Sequence, residues 1–204
     1  AVATAAGAEW TGYPNRDEAI RAAASPDAET RAEALAWIAG HGTQADAVVL
    51  KEHLTDADVY VRSVAEQSLW TLWGRSGDDA VDGLLAAGIE QMRTGDLDGA
   101  IATFSAVITQ KPEFAEGWNK RATALFLAGE FRRSLADCDE VMKRNPLHFG
   151  ALAGYGQIYF QLEQYERAIA WWKRALEANP NLSGVETSIR ATEQLLAERG
   201  RRGA

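Results

Sequence analysis

The stretch AEGWNKRATALFLAGEFRRSLADCDEVMKRNP, residues 115–146, sets Trp118 near the start of an apolar run, breaks the run at Gly129-Glu130, resumes it, and closes on a proline. Shifting the chain by 34 residues lays Pro112, Pro146 and Pro180 on one another. A period of that length marks a repeat architecture, in which each unit is one supersecondary element unable to bury its apolar face alone. The segments 81–114, 115–148 and 149–182 share their small columns: Gly88, Ala122 and Gly156 at the eighth position, Ala100, Ser134 and Ala168 at the twentieth. Small residues are needed where two antiparallel helices cross closely.

Each segment reads as helix, turn, helix. The turns are Thr94-Gly95-Asp96, Ala128-Gly129-Glu130 and Leu162-Glu163-Gln164. Two of them carry a glycine able to end a helix in the left-handed conformation. Lys111-Pro112, Asn145-Pro146 and Asn179-Pro180 end the second helix, because the residue before a proline is pushed out of the helical region. Larger groups recur at Leu84, Trp118 and Leu152, at Leu97, Phe131 and Tyr165, and at Phe104, Cys138 and Trp172. Spacings of 3, 4 and 7 put these on the inner faces of paired helices, as core rather than as a ligand cage. Cys138, the one cysteine, reads as a buried inert thiol.

These columns, with the proline near each repeat end, resemble the tetratricopeptide repeat, three times in tandem over 81–182. Two positions depart from the family pattern: Arg121 stands where an apolar residue is usual, and Gln91 where an aromatic is usual. Beyond the third repeat, Val185, Ile189, Thr192 and Leu196 fall on one helical face, so 183–204 reads as a capping helix with a basic tail, covering the apolar edge of the last repeat.

Before Val81 the period is lost, but SPDAETRAEALAWIA (25–39) and TDADVYVRSVAEQSLWTLW (55–73) resemble each other. Asp27 and Asp58 each precede an arginine, Arg31 and Arg62, by four residues, a spacing that suits a helix cap and an i,i+4 ion pair. With the short apolar segments DEAIRAAA and ADAVVLKEHL ahead of them, residues 16–80 are similar to two short HEAT-type repeats. The fold expected is all-α: a right-handed α-solenoid of helix-turn-helix repeats, HEAT-like pairs first, then three tetratricopeptide repeats and a cap, packed as one superhelix.

The resemblance implies a concave groove lined by the first helix of each pair. Its columns hold Leu85, Ile89 and Met92, then Asn119, Lys120, Thr123 and Phe126, then Gln157 and Phe160. Met92, Phe126 and Phe160 would form an apolar column, with the amides of Asn119 and Gln157 able to hold a peptide backbone and Lys120 at the groove edge. One subtype of the family clamps a partner's C-terminal carboxylate at set groove positions. Here those places hold Leu85 and Ile89, Lys120, and Gly150 and Gly154, so a chaperone tail is not the expected ligand. The function implied is a non-catalytic adaptor that binds a segment of another protein. The alternative is a structural or assembly subunit that uses its outer faces.

Composition narrows the remaining classes. The net charge is −8, and residues 1–80 carry 13 acids against 6 bases, which argues against nucleic acid as a partner. No segment is long and apolar enough for membrane insertion. His41, His53 and His148 are scattered, with no metal-ligand spacing, and no nucleophile elbow or phosphate-binding loop is present. The expectation is therefore no enzyme, no cofactor and no metal. Residues 1–15 read as a tail, the remnant of a signal peptide on the small-x-small form of Ala6-Gly7-Ala8, which favours the periplasm over the cytoplasm.

Overall fold

The structure, a computed structural model, describes residues 12–202. Ala6-Gly7-Ala8 lies outside the described residues. Among those described, eleven α-helices and two short 3-10 turns account for all regular structure. The chain divides into two compact units between Leu72 and Trp73.

In the first unit, α1 (Arg16–Ala23) packs on α2 (Ala28–His41) through a core that includes Ala19, Ala23, Leu35 and Ile38. A 3-10 turn (Gln44–Asp46), α3 (Ala47–Glu52), a second 3-10 turn (His53–Thr55) and α4 (Val59–Trp73) follow, the last residue of α4, Trp73, belonging to the second unit. The two similar segments found in the sequence start their helices alike. Asp27 caps α2 by accepting from the Thr30 amide at 2.8 Å, and Asp58 accepts from the amides of Tyr60 and Val61. Each arginine donates to the carbonyls five and six residues before it: Arg31 to Ser25 and Pro26, Arg62 to Asp56 and Ala57.

The expected Asp27 to Arg31 ion pair is not the one formed. Arg31 instead grips Asp56 with two bonds of 2.8 and 2.7 Å, because its guanidinium matches both oxygens of a carboxylate whose side chain is only 8% exposed. His53 and the Asp58 amide also bond Asp56. The Arg31 hydrogen bonds, foremost, hold the Asp56 carboxyl far below the usual carboxylate range.

In the second unit three helix pairs follow in order: α5 (Asp79–Arg93) with α6 (Leu97–Gln110), α7 (Ala115–Leu127) with α8 (Phe131–Arg144), and α9 (Phe149–Gln161) with α10 (Tyr165–Ala178). All three intra-pair turns have one geometry. The amides of Asp96, Glu130 and Gln164 reach back to the carbonyls of Gln91, Leu125 and Tyr159. The residue before each amide has positive φ: Gly95 at 86°, Gly129 at 78°, and Glu163 at 54°. The second helices end at Lys111, Asn145 and Asn179, each just before its proline.

The crossing within each pair is matched in size. Gly88 faces Phe104 and Gly156 faces Trp172 so closely that a Cβ would lie 2.5 and 2.2 Å from those rings. In the middle pair the same two columns hold Ala122 and Cys138, which share one buried cluster. α11 (Ser183–Arg202) then lays Val185, Ile189 and Leu196 against a cluster containing Ala168 and Trp172.

Both departures from the family pattern find polar partners on neighbouring second helices. Gln91 accepts from Thr103 Oγ1 at 2.7 Å. Arg121 makes two bonds to Asp137, at 2.7 and 2.8 Å, and a third to Ser105 Oγ at 3.0 Å.

Candidate functional site

Within the second unit α5 touches α7 and α7 touches α9, so the first helices of the pairs line up along one face. Between α7 and α9 this face opens into a hollow of about 130 Å³. Its lining includes Ala122, Cys138, Gly150 and Gly154 together with Asn119, Thr123, Phe126 and Gln157. A wider recess of about 390 Å³ adjoins it between α9 and α11, bounded by Ala153, Trp172, Leu182 and Val185. Gly154 and Gln157 border both.

The hollow has two causes in the sequence. Cys138 stands where the neighbouring pairs carry Phe104 and Trp172, so the middle crossing is filled by a smaller group. Gly154 then leaves the facing side of α9 without a side chain. A Cβ there would meet only Cys138 Sγ, at 3.8 Å, an ordinary contact. Neither packing nor backbone conformation requires this glycine, which weakens a helix interior by roughly 0.5–1 kcal/mol relative to alanine. Burial pushes the Cys138 thiol up to about 12.

The polar groups around the rim are mostly engaged. Ser134 Oγ donates to the Ala122 carbonyl, Thr123 Oγ1 to the Asn119 carbonyl and Ser188 Oγ to the Gly184 carbonyl. Asn119 Nδ2 donates to Glu116 at 3.1 Å. Gln157, half-buried, makes no side-chain hydrogen bond among the described residues.

Beside the hollow lies a buried polar cluster absent from the sequence reading. His148 is 0% exposed and caps α9: its Nδ1 accepts from the Ala151 amide at 3.1 Å, which puts the ring proton on Nε2. Nε2 donates to Glu116 at 3.0 Å, and Lys120 pairs with the same carboxylate at 3.0 Å. Burial pushes the Glu116 carboxyl up, but the His148 hydrogen bond and the Lys120 ammonium outweigh it and hold the group below its ordinary value. Trp73 stacks on the imidazole with ring centres 4.6 Å apart. One signal was available: His148 occupies a column that is otherwise apolar, filled by Phe114 and Leu182.

Of the nine residues expected in the groove, Asn119, Thr123, Phe126 and Gln157 come together at the hollow. The others do not. Leu85 is core, 5% exposed in a cluster with Val81 and Phe104, and Met92 packs against that cluster. Lys120 pairs with Glu116 and lines neither recess. Phe160 packs on Tyr165 and Trp172 within its own repeat, and Ile89 is exposed at 37% away from either recess. The expected column of Met92, Phe126 and Phe160 is divided among three separate apolar clusters. The residues missed were Cys138, Gly150 and Gly154, whose contribution is the volume they leave empty.

The family model of the tetratricopeptide repeat matches residues 85–141 and again 119–183. Residues 85–183 thus match the tetratricopeptide-repeat pattern. A TPR repeat-containing protein of Rhizobium etli is 31% identical over 125 residues, 61% of each chain. A BBSome complex member BBS4 homolog of Drosophila melanogaster is 33% identical over 86 residues, 42% of this chain. The chain therefore spans about three fifths of the length of the first relative and 18% of the second. Among solved structures, the first TPR of Spaghetti (RPAP3) bound to the HSP90 peptide SRMEEVD superposes with a TM-score of 0.55 at 26% identity, covering 57% of this chain and 93% of that one. Tetratricopeptide helices thus account for the face that carries the hollow.

Proposed function

We propose that this chain is a non-catalytic adaptor that receives a segment of a partner protein along the inner face of its tetratricopeptide repeats. The observation that carries the reading is the pair of adjoining recesses that share Gly154 and Gln157. A likeness of 26% identity to a repeat domain that holds an HSP90 peptide supports a peptide as the ligand class. The ligand itself differs. In this chain Lys120 is tied to Glu116, and the places that would complete a carboxylate clamp hold Leu85, Ile89, Gly150 and Gly154. An acidic chaperone tail would find no matching cations there.

We assign residues 16–80 to two HEAT-like units on the shared cap and carbonyl clamp of Asp27 with Arg31 and Asp58 with Arg62. The acid excess of the chain leaves nucleic acid outside the proposed partners.

A photo-crosslinking amino acid at Thr123, exposed at the mouth of the hollow, tests the reading against the same group at Arg132, exposed on α8. The expected result is one discrete crosslinked partner peptide from position 123 and none from 132. Crosslinks from 132 alone would transfer the function to the outer face, as in a structural subunit.

A further inference from the structure

Gly154 has no packing reason to be glycine. At Gly88, Gly117 and Gly156 an added Cβ would come within 3.0 Å of a neighbouring side chain, whereas at Gly154 it would touch only Cys138 Sγ at 3.8 Å. It also has no conformational reason, since it sits inside α9 without positive φ. Its missing side chain leaves open space that borders both the hollow and the wider recess.

The lining is uncharged. Among the described residues no Asp, Glu, Lys, Arg or His borders either recess, in a chain that is 25% charged. The hydroxyls of Ser134, Thr123 and Ser188 are turned onto backbone carbonyls, and the Asn119 amide is held by Glu116. An ion placed here would lose part of its hydration with no charged partner to replace it, so the site discriminates against charge. An apolar group would lose nothing. The volume of about 130 Å³ is close to the roughly 150 Å³ of an apolar cavity that holds a benzene molecule. Gln157, on the rim, is left to bond a backbone amide.

We infer that the hollow over Gly154 is a specificity pocket that takes one uncharged apolar side chain, of the size of Leu, Ile, Met or Phe, from an extended and locally neutral partner segment. This rests on the groove reading proposed above. The pocket selects by volume and by the absence of charge, where a clamp would select by ion pairing.

The test uses the full chain and a phage-displayed library of random dodecapeptides. Enriched sequences are resynthesised with acetylated and amidated ends, and their affinities are measured calorimetrically on the intact protein and on Gly154→Ala, Gly154→Leu and Phe126→Glu, with folding checked by circular dichroism. Enriched peptides are expected to share an apolar residue free of adjacent charge, and its replacement by alanine should weaken binding about tenfold or more. Gly154→Leu, which plugs the hollow, should weaken it as much. Gly154→Ala, whose Cβ has room, should weaken it about threefold and keeps the test intact if the leucine variant misfolds. Raising salt from about 50 to about 500 mM should change affinity by about twofold at most.

Peptides rich in acids or bases, salt-sensitive, lost with Phe126→Glu yet indifferent to both Gly154 variants, would overturn the pocket and leave the groove standing. Peptides that bind regardless of all three variants, or a library that yields none, would remove the groove as well.

Discussion

At Gly88 an added methyl would lie 2.5 Å from the Phe104 ring, while at Gly154 the same methyl has room. Gly88→Ala is therefore expected to destabilise by about 1–2 kcal/mol, overpacking outweighing the gain in helix propensity. Gly154→Ala should instead stabilise by up to about 1 kcal/mol. Urea denaturation of both variants separates the two roles. Had Gly154→Ala also proved destabilising, the glycine would serve packing and the hollow would be incidental. Glu116 is a second residue whose role is local. Its replacement by alanine leaves His148 and Lys120 without their shared carboxylate in a buried setting, at a cost on the order of 3 kcal/mol, read in the same experiment. Asp56 gives a pH signature. Its carboxyl is held low in the folded chain, chiefly by Arg31, so its stabilising contribution is complete above the ordinary carboxylate pKa of about 4 and is lost as pH falls from there toward the depressed value. The stability gap between wild type and Asp56→Asn should be constant from neutral pH to about 5 and shrink only below about 4. A gap that closed near neutrality would point to another group.

At the scale of elements, the three turns between paired helices share one hydrogen-bond pattern, and only the third is built without glycine. Glu163 at φ 54° sits where an L side chain is strained, so Glu163→Gly is expected to raise the midpoint of thermal unfolding, by an amount equivalent to about 1 kcal/mol or less. An unchanged or lowered midpoint would mean that the Glu163 contact with Arg199 matters more than the strain. The helices and turns could be read directly from the chain because their causes are local: a proline after each second helix, a glycine in two of three turns, small residues at each crossing. The groove was harder. Spacing places Leu85, Met92, Phe126 and Phe160 on the first helices, but whether a side chain on such a face looks outward or leans on its partner helix depends on the size of what stands opposite. Leu85 fell into the core for that reason. The hollow was hidden more completely, since it arises from what Cys138 and Gly154 lack, and a periodic pattern registers apolar groups and not missing volume. The Glu116 to His148 contact, 32 residues apart, was only half legible: the apolar column that His148 occupies points to a buried ring, and nothing in the periodic pattern names Glu116 as its partner.

In the second unit as a whole, stability is the sum of intrinsic repeat terms and nearest-neighbour interfaces, so the last interface protects all the others from fraying inward. α11 supplies it by covering Trp172 and Ala168 with Val185, Ile189 and Leu196. A chain ending at residue 182 is expected to unfold several degrees lower and to self-associate, seen by differential scanning fluorimetry and size-exclusion chromatography. Unchanged melting and a monomeric profile would show that α10 closes the stack unaided. The single cysteine of the chain sits at the centre of this stack, in the middle repeat, 2% exposed and with its thiol raised to about 12. A disulfide reagent too bulky for the hollow of about 130 Å³ that Cys138 lines can reach that sulfur only while α8 has opened away from α7 and α9, when the thiol returns to an ordinary pKa of about 8.5. The rate of Cys138 labelling is thus a built-in clock for the opening of the middle repeat, needing no engineered probe, and any molecule that settles over Gly154 should slow it.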